Sequence, residues 1–560
     1  MIIVSILLLV ITYFLVIGVL NVRPGMNSKQ FFFMDREATL GNYVDTTVAF
    51  SLQVAVTIYF VFWGYRYGWS NIFFVLTWCL GIFLFSLAAP KLAKVLAEHD
   101  TLASFMSLGS VRLRLVSGLV ILASLFGLIY TELFFAAQFV AIVASSTGGG
   151  MGYAAWYWVV FVVLILAFAL YVSMGGVRKV VTTDKQQLVF AYLSSVTFFI
   201  AIHWDIASNG ARVYYWTYVP IFLAYLALWL GCGLATYLSV NGGARRFQFF
   251  PREYSLASMA APLACAFAVL LIVLFPPVFG SSDVQSFPRP VESMLVEDRN
   301  YGLWALVGFG LANLFWQFSD YTAYHRLKLL RLSPERREAE ATVRRSIQGT
   351  MLSSPITWSL GILAGMAIHA SNLVSSVASG QAVFYEFVSQ LLGRANGGDL
   401  SSYTALVALG VFVVVVMLST VDSAFISAGK LMLLDLFPNL QATRLLRNVC
   451  LGLCVLSLVV LAAVQTGFGL DIFLMLGVFY SWGLLFGPIV VWGLYATRSP
   501  RSLGWTWAAV VLGLVAALLA VVNPLGLAPL IAPVFAQIAG LTVSGLVLVL
   551  AVLMSPTKRA

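Results

Sequence analysis

The chain alternates long apolar runs with short polar segments along its whole length. A helix that crosses a membrane needs about 20 consecutive apolar residues, and many runs in this sequence reach that length. The predicted spans are 2–21, 42–66, 69–90, 114–144, 154–176, 186–207, 216–239, 256–279, 301–320, 350–374, 403–435, 446–466, 470–497, 503–524 and 530–554. The pattern therefore predicts an all-α polytopic membrane protein with about 15 transmembrane helices.

Composition supports this prediction. The 560 residues are 61% hydrophobic and only 10% charged, with a mean hydropathy of +0.95. Soluble domains could not build a water-facing surface from such a chain. The first 21 residues lack a basic start and a small-residue cleavage site, so we interpret them as a retained span and not as a signal peptide.

The distribution of Lys and Arg predicts the orientation, because cytoplasmic loops collect these residues. With the N-terminus outside and the C-terminus in the cytoplasm, 26 of the 32 Lys and Arg fall in predicted cytoplasmic segments. The net charge of +10 is then a topology signal and does not indicate nucleic-acid binding. The basic segment 325–345 is expected to be a cytoplasmic connector helix, with contact to anionic membrane lipid as a secondary role.

The predicted span 403–435 carries a stripe of polar side chains. At about 100° per residue, Ser419, Thr420, Ser423, Ser427 and Lys430 lie on one helix face. Ionisable groups inside a membrane cost about 2.5 to 3.5 kcal/mol each on insertion scales, so they usually serve a function. Two adjacent hydroxyls at mid-depth suit a small hard cation. The alternative is that the hydroxyls join neighbouring helices, which does not account for Lys430.

The motif STVDSAFISAGKLMLLD (419–435) resembles the sodium/solute symporter family, in which a Ser/Thr pair of this helix binds sodium. A second stretch, LYVSMGGVRKVVTTDKQQ (170–187), matches the family's pattern of a Tyr, a Gly pair, Thr-Asp and Gln. LFWQFSDYTAYHRL (314–327) is similar to the family's broken substrate helix, which ends in an Arg. These matches are collinear from about residue 41 to residue 497.

The resemblance implies a five-plus-five inverted-repeat transporter fold, with solute and ion bound at the midplane between two broken helices. The chain departs from the family by two additional helices, 216–239 and 256–279, between the repeats. The implied division is 1–40 for an extra N-terminal helix and loop, 41–207 for the first repeat, 208–300 for the inserted pair, 301–497 for the second repeat, and 498–560 for two C-terminal helices and a basic tail.

The resemblance also implies the sodium ligands. These are the side chains of Ser419 and Thr420 and the backbone carbonyls of Ala49, Leu52 and Val416. The segment 42–63 contains no Gly or Pro that would predict a break in the first core helix. In the ninth span, Gly308 and Gly310 make the backbone easier to unwind, so we expect that span to open there.

Three ionisable residues are candidates for the ion path or its gate. Asp184 is expected at the cytoplasmic mouth of the sixth span, either in the ion path or as a loop charge that pairs with Arg178 or Lys179. Lys430 lies three turns below the hydroxyl pair and is expected to pair with Asp45 or Asp184 as an inner gate. Two alternatives for Lys430 are snorkelling to the inner interface and competition with sodium, which would favour proton coupling.

Aromatic and polar residues at mid-depth are the candidates for solute binding, since such groups line transporter cavities. Each of them could equally be a helix–helix contact. They are Gln53, Tyr130, Glu132, Trp316, Gln317 and Asp320.

The function we expect is sodium-coupled symport of a small organic solute by alternating access, in the bacterial cytoplasmic membrane. The expected partners are the solute, sodium and membrane lipid, with the chain as a monomer or weak homo-oligomer. We expect no cofactor, no metal beyond sodium, no nucleic acid and no enzyme activity, because no constellation of nucleophile, base and metal is present. A sensory or regulatory membrane module of transporter-like fold is the alternative, besides the proton-coupled transporter.

Overall fold

The computed structural model is almost entirely helical over the residues that it describes. The described residues are 10–13, 28–34, 37–67, 72–146, 152–208, 299–351, 354–370, 374, 380–437, 444–468, 472–495, 500–522 and 532–554. The predicted inserted helices, 216–239 and 256–279, and most of the first predicted span lie outside these residues. Within them, the one β-type pairing is an isolated bridge between Ala38 and Leu330.

The helices of the first half begin just before the first predicted core span. They are α1 (Ser28–Phe33), α2 (Leu40–Leu52), α3 (Val54–Tyr67), α4 (Ile72–Leu87), α5 (Ala89–Glu98), α6 (Leu102–Met106), α7 (Val111–Ser145) and α8 (Tyr153–Ser208).

The helices of the second half begin at Arg299. They are α9 (Arg299–Ser319), α10 (Tyr321–Leu329), α11 (Arg336–Thr350), α12 (Ser354–Ala370), α13 (Gly380–Asn396), α14 (Leu400–Leu431), α15 (Arg444–Phe468), α16 (Ile472–Leu484), α17 (Phe486–Tyr495), α18 (Pro500–Val522) and α19 (Ala532–Leu553).

The length and hydropathy of these helices are those of membrane spans. In the described part of the chain, seven helices are long and apolar enough to cross a membrane, or nine if each sharply bent pair counts as one span. The prediction of an all-helical, multi-pass membrane protein is confirmed. The total of fifteen spans, the repeat boundaries and the orientation of the termini stay predictions.

The first core helix is broken at Gln53, between α2 and α3, with a bend of 54°. Gln53 has φ 34° and ψ 120°, which no helix accommodates. The backbone N–H groups of Val54 and Ala55 donate to the two carboxylate oxygens of Glu132 on α7, at 2.7 and 3.0 Å. These N–H groups would otherwise bond carbonyls four residues earlier. A carboxylate from another helix therefore stabilises the break in the absence of Gly or Pro.

The matching break in the second half lies at Asp320, between α9 and α10. The Asp320 carboxylate caps α10 by accepting the backbone N–H of Thr322 at 2.8 Å and its hydroxyl at 2.6 Å. The expected opening at Gly308 and Gly310 is wrong, because α9 runs through both residues. An isolated Gly costs a helix only about 1 kcal/mol, whereas a capping Asp satisfies donors at a new helix start.

Helix α8 changes direction at Gly176, whose φ of 57° and ψ of −161° are not helical. A Cβ at this position would lie 2.6 Å from the Phe31 carbonyl oxygen of α1, so only Gly fits. Helix continues directly after the kink. The predicted loop between the spans 154–176 and 186–207 is therefore wrong, because residues 177–186 belong to a helix.

Helix α14 is the central packing element. It contacts α8, α7 and α2, and its segment from Val413 to Lys430 is buried. The helix starts at Asp399, which accepts the N–H groups of Ser401 and Ser402 and their hydroxyls. It ends in a wider π-type turn, Met432–Leu436. There the buried Asp435 accepts from Thr101 at 2.6 Å and from Arg114 at 2.7 Å, which joins α14 to the start of α7.

Helices α3 and α12 approach each other closely through glycines. A Cβ on Gly64 would lie 2.3 Å from the Ile362 carbonyl oxygen, and a Cβ on Gly365 would lie 2.0 Å from the Val61 carbonyl oxygen. Small residues allow such backbone contact between membrane helices. This contact holds α3, the second part of the broken helix, against α12.

Candidate ion site and solute cavity

The polar stripe of α14 meets a buried acid of α8. The Ser419 hydroxyl donates to Asp184 Oδ1 at 2.7 Å. Both residues are buried, and so is Thr420. Within the described residues, Thr420 Oγ1 and Asp184 Oδ2 have no hydrogen-bond partner. Buried polar atoms are nearly always bonded to protein, water or an ion, so these two oxygens are available to a further ligand.

The carbonyl groups predicted as sodium ligands come from two helices that pack together. Ala49 and Leu52 lie on the last turns of α2, and Val416 lies on α14; all three residues are buried. The Leu52 carbonyl accepts the Thr57 hydroxyl at 2.7 Å across the break. A carbonyl oxygen has two lone pairs, so this bond leaves one of them for another ligand.

Asp184 is not a loop charge. It lies inside the helical part of α8 and is completely buried. The proposed loop pairing with Arg178 is wrong, because Arg178 lies on the exposed side and pairs with Glu37 at 3.5 Å. The reason is the kink at Gly176, which starts a new helix before the Thr-Asp motif and turns one face of it inward.

Lys430 is also completely buried, and its Nζ lies 4.1 Å from the centre of the Phe33 ring, in cation–π geometry. The snorkelling alternative does not describe this side chain. Next to it, the ring of His325 contacts the Ser427 hydroxyl through Nδ1 at 2.9 Å and the Phe32 carbonyl through Nε2 at 2.8 Å. Helix α1 therefore covers the end of the polar stripe. The pairing of Lys430 with Asp45 or Asp184 stays a prediction.

Two further charged residues are buried. Arg326 was matched to the Arg that ends the family's broken substrate helix and also fell in the predicted cytoplasmic connector 325–345. It is buried, with its guanidinium carbon 4.0 Å from the centre of the Phe50 ring. Asp422 is buried on α14, and neither carboxylate oxygen has a hydrogen-bond partner in the described part of the chain. An acid inside an apolar run was the available signal for Asp422, whereas the burial of Arg326 depends on the break at Asp320.

A cavity lies beside the break at Gln53, between α3, α4, α9, α12 and α16. Its free volume, counted as the space open to the centre of a water-sized sphere, is about 100 Å³. Two predicted solute residues, Gln53 and Trp316, line it. The full lining is Ser51, Gln53, Val56, Tyr59, Phe60, Phe74, Trp78, Ala312, Asn313, Trp316, Trp358, Tyr480 and Leu484.

The aromatic rings of this lining form a continuous wall. Ring centres are 4.7 Å apart for Trp316 and Tyr480, 6.5 Å for Trp78 and Trp316, and 4.2 Å for Trp78 and Trp358. The wall continues from Trp358 to Phe60 at 5.0 Å. Sequence reasoning missed four of these residues, because aromatic residues are common in apolar spans and only the packing of several helices brings these together.

The other predicted solute residues have different positions. Asp320 lines a smaller cavity together with Trp316 and Tyr480. Tyr130 is completely buried and donates to Gln465 Oε1 at 3.0 Å. Gln317 is buried on α9. Glu132 holds the N-terminus of α3, as described above.

Comparisons with known proteins show the fold. No protein-family model and no curated protein matches the sequence. Among solved structures, a Na+-coupled sialic acid symporter has a TM-score of 0.61 at 14% identity, covering 100% of this chain and 99% of that one. A manganese transporter from Eremococcus coleocola has a TM-score of 0.50 at 13% identity, covering 94% and 96%. The chain therefore has the fold of these membrane transporters. Membership of the particular family suggested by the motifs stays a prediction.

Proposed function

We propose that the chain is a sodium-coupled symporter that imports a small organic solute by alternating access. One observation carries the proposal: the Ser419 hydroxyl bonds the buried Asp184 carboxylate, whose Oδ2, like Oγ1 of the adjoining residue Thr420, has no hydrogen-bond partner in the described residues. Hydroxyl, carboxylate and carbonyl oxygens are the ligands that a small hard cation takes. The similarity to a Na+-coupled symporter structure supports sodium as this cation.

Sodium at this site connects the two parts that must move. The hydroxyls of Ser419 and Thr420 belong to α14, and the carbonyls of Ala49 and Leu52 belong to the end of α2. The Val416 carbonyl also belongs to α14. The ion would therefore have ligands from both helices where α2 contacts α14. Bound sodium thus fixes α2 against α14, and α2 ends at the break beside the solute cavity. Loss of the ion releases α2 and changes that cavity.

The inner route passes the buried charges below the ion site. Asp184 is the first of them, and it holds Ser419. Lys430 and Asp45, both buried, form the gate with α1. Lys430 repels a cation until the inner side opens and its contact with the Phe33 ring is lost, which makes sodium release depend on the inward-open state.

The driving force is sufficient for accumulation. One sodium ion that crosses 100 mV supplies about 2.3 kcal/mol, and a tenfold sodium gradient adds about 1.4 kcal/mol. Because 1.4 kcal/mol corresponds to a factor of ten, the two together concentrate a neutral solute roughly 500-fold. The proposed protein is a transporter and not an enzyme, acts in the bacterial cytoplasmic membrane as a monomer or weak homo-oligomer, and uses sodium without another cofactor.

Thermal stability of the purified protein tests the ion site. A ligand present at 100 times its dissociation constant, and bound only by the folded state, adds about 2.7 kcal/mol to the free energy of unfolding. We expect sodium, but not potassium at equal ionic strength, to raise the unfolding temperature. Thr420→Ala should remove the sodium effect. Thr404→Ala is the matched control, because its exposed hydroxyl bonds the Leu400 carbonyl on the same helix, and it should keep the effect.

Two results would contradict the proposal. Equal stabilisation by sodium and potassium, or a sodium effect that survives in Thr420→Ala, would remove the ion site and favour a proton-coupled transporter that uses Lys430. Once a solute is known, solute-driven sodium flux into liposomes separates a symporter from a sensory module, since a sensor binds solute without flux.

A further inference from the structure

We propose that the solute is an organic cation with a methylated ammonium group, and that Glu132 is the residue that excludes carboxylate solutes. The inference rests on the proposed transport function and names the class of substrate. It is carried by the cavity beside Gln53, whose walls and surroundings have an unusual balance of charge.

The first argument concerns the anion site of the broken helix. A helix N-terminus at the midplane binds anions, and transporters with broken helices use it for the carboxylate of a solute. Here the N-terminus of α3 is already occupied, because Glu132 Oε2 and Oε1 accept the N–H groups of Val54 and Ala55 at 2.7 and 3.0 Å. Glu132 is completely buried. A solute carboxylate would have to displace it and leave its buried polar atoms without their partners, which is costly.

The second argument concerns the charges around the cavity. The described lining contains no Lys, Arg, Asp or Glu. One acidic residue lies at each helix break, Glu132 at the start of α3 and Asp320 at the start of α10. Tyr480, which lines the cavity, interacts electrostatically with both Glu132 and Asp320. Asp320 lies behind Trp316 and Tyr480, in the smaller cavity that shares these two residues. A bound cation would therefore have acidic residues on both sides.

The third argument concerns the wall itself. Tyr480, Trp316, Trp78, Trp358 and Phe60 present a connected set of rings to the cavity. Aromatic faces attract cations, and cages of such rings recognise quaternary ammonium groups.

Several polar side chains of the cavity are engaged with the protein. Tyr480 donates to Gln53 Oε1, and Asn313 Nδ2 donates to the Phe74 carbonyl and the Thr77 hydroxyl. The cavity is thus better suited to an ammonium group than to a polyhydroxylated solute.

The test uses pairs of probes that differ only in charge. Choline is compared with dimethylbutanol, its uncharged carbon isostere, and acetylcholine with dimethylbutyl acetate. Glycine betaine adds a carboxylate to the same trimethylammonium group. Binding is measured by thermal stabilisation and by sodium-driven uptake in liposomes. We expect at least one cation to bind tenfold or more tightly than its isostere, and glycine betaine to bind at least tenfold more weakly than choline.

Variants separate the two parts of the inference. Trp316→Leu should weaken binding of the preferred cation at least tenfold, whereas Trp316→Phe should keep most of the binding. Trp505→Leu on α18 is the control outside the cavity. Glu132→Gln should weaken binding of the cation and reduce the preference of the protein for this cation over glycine betaine. If neither choline nor acetylcholine binds more tightly than its uncharged isostere, the assignment is overturned. Tighter binding of glycine betaine than of choline also overturns it.

The outcome for sodium is read separately. A sodium-specific rise in stability without any preference for a cationic solute contradicts the proposed solute class but supports the proposed symporter. Preference for a cation without a sodium-specific rise supports the solute class and removes the sodium coupling.

Discussion

The glycine contact between α3 and α12 allows a prediction whose sign follows from geometry. Gly365→Ala would place a Cβ 2.0 Å from the Val61 carbonyl oxygen and 2.5 Å from the Tyr65 nitrogen. Both are backbone atoms, so no side chain can rotate away, and the helices must separate. Overpacking costs about 1 to 3 kcal/mol, and a rigid backbone contact lies at the upper end.

Helix propensity opposes this cost. Replacing Gly by Ala inside a helix stabilises by about 1 kcal/mol. Gly393→Ala isolates this gain, because Gly393 lies within α13 and a Cβ there meets no heavy atom within 4 Å. We therefore expect Gly393→Ala to stabilise the protein by about 1 kcal/mol and Gly365→Ala to destabilise it by about 2 kcal/mol, the difference between the overpacking cost and the propensity gain.

The assay is equilibrium unfolding in mixed micelles, with the two variants and the parent protein in parallel. Separation of α3 from α12 also moves Phe60 away from Trp358, whose ring centres are 5.0 Å apart, so tryptophan fluorescence should change in Gly365→Ala only. If both variants stabilise the protein equally, and the fluorescence is unchanged, the close approach of these two helices is refuted.

Two further predictions concern the ends of α14. Partial burial tends to raise the Asp399 pKa, but the hydrogen bonds from Ser402 and Ser401 outweigh it and lower the pKa to about 2. Because the folded pKa lies below the unfolded value of about 3.9, this cap contributes stability above pH 3.9 that is lost as the pH falls towards 2. Asp399→Ala should cost about 1 kcal/mol at neutral pH, whereas Asp399→Asn keeps the cap and should flatten the acid side of a pH–stability curve; an unchanged curve would contradict the assignment. Arg114→Leu leaves the buried Asp435 carboxylate without its 2.7 Å partner and should lower the free energy of unfolding by about 2 to 3 kcal/mol in the same assay. This is less than the cost for a fully buried pair, because Arg114 is partly exposed. A loss below about 0.5 kcal/mol would show that Thr101 alone satisfies Asp435.

Much of the fold could be predicted from the sequence, because partition into a membrane is a property of a segment. The helices α7, α14 and α18 follow their apolar runs to within about four residues. The polar stripe of α14 was readable for the same reason, since helix geometry alone places its residues on one face. These features depend on residues that are close in sequence.

The breaks could be predicted less well. Gly308 and Gly310 indicated an opening that the structure does not have, whereas the break at Gln53 has no local signal. It depends on Glu132, 78 residues away, which competes with the carbonyls of α2 for two backbone donors. Such competition is decided by which helix packs against the segment.

The sequence by itself determined that this chain is a multi-pass helical membrane protein and that its eleventh predicted span carries polar groups at mid-depth. Only the tertiary structure decided which groups meet. Asp184 reaches Ser419 across 235 residues, and the rings of Trp78, Trp358 and Tyr480 join from three helices. The physical reason is that hydropathy and helix periodicity act within one segment, whereas a buried hydrogen bond or an aromatic wall requires particular faces of several helices to pack against each other.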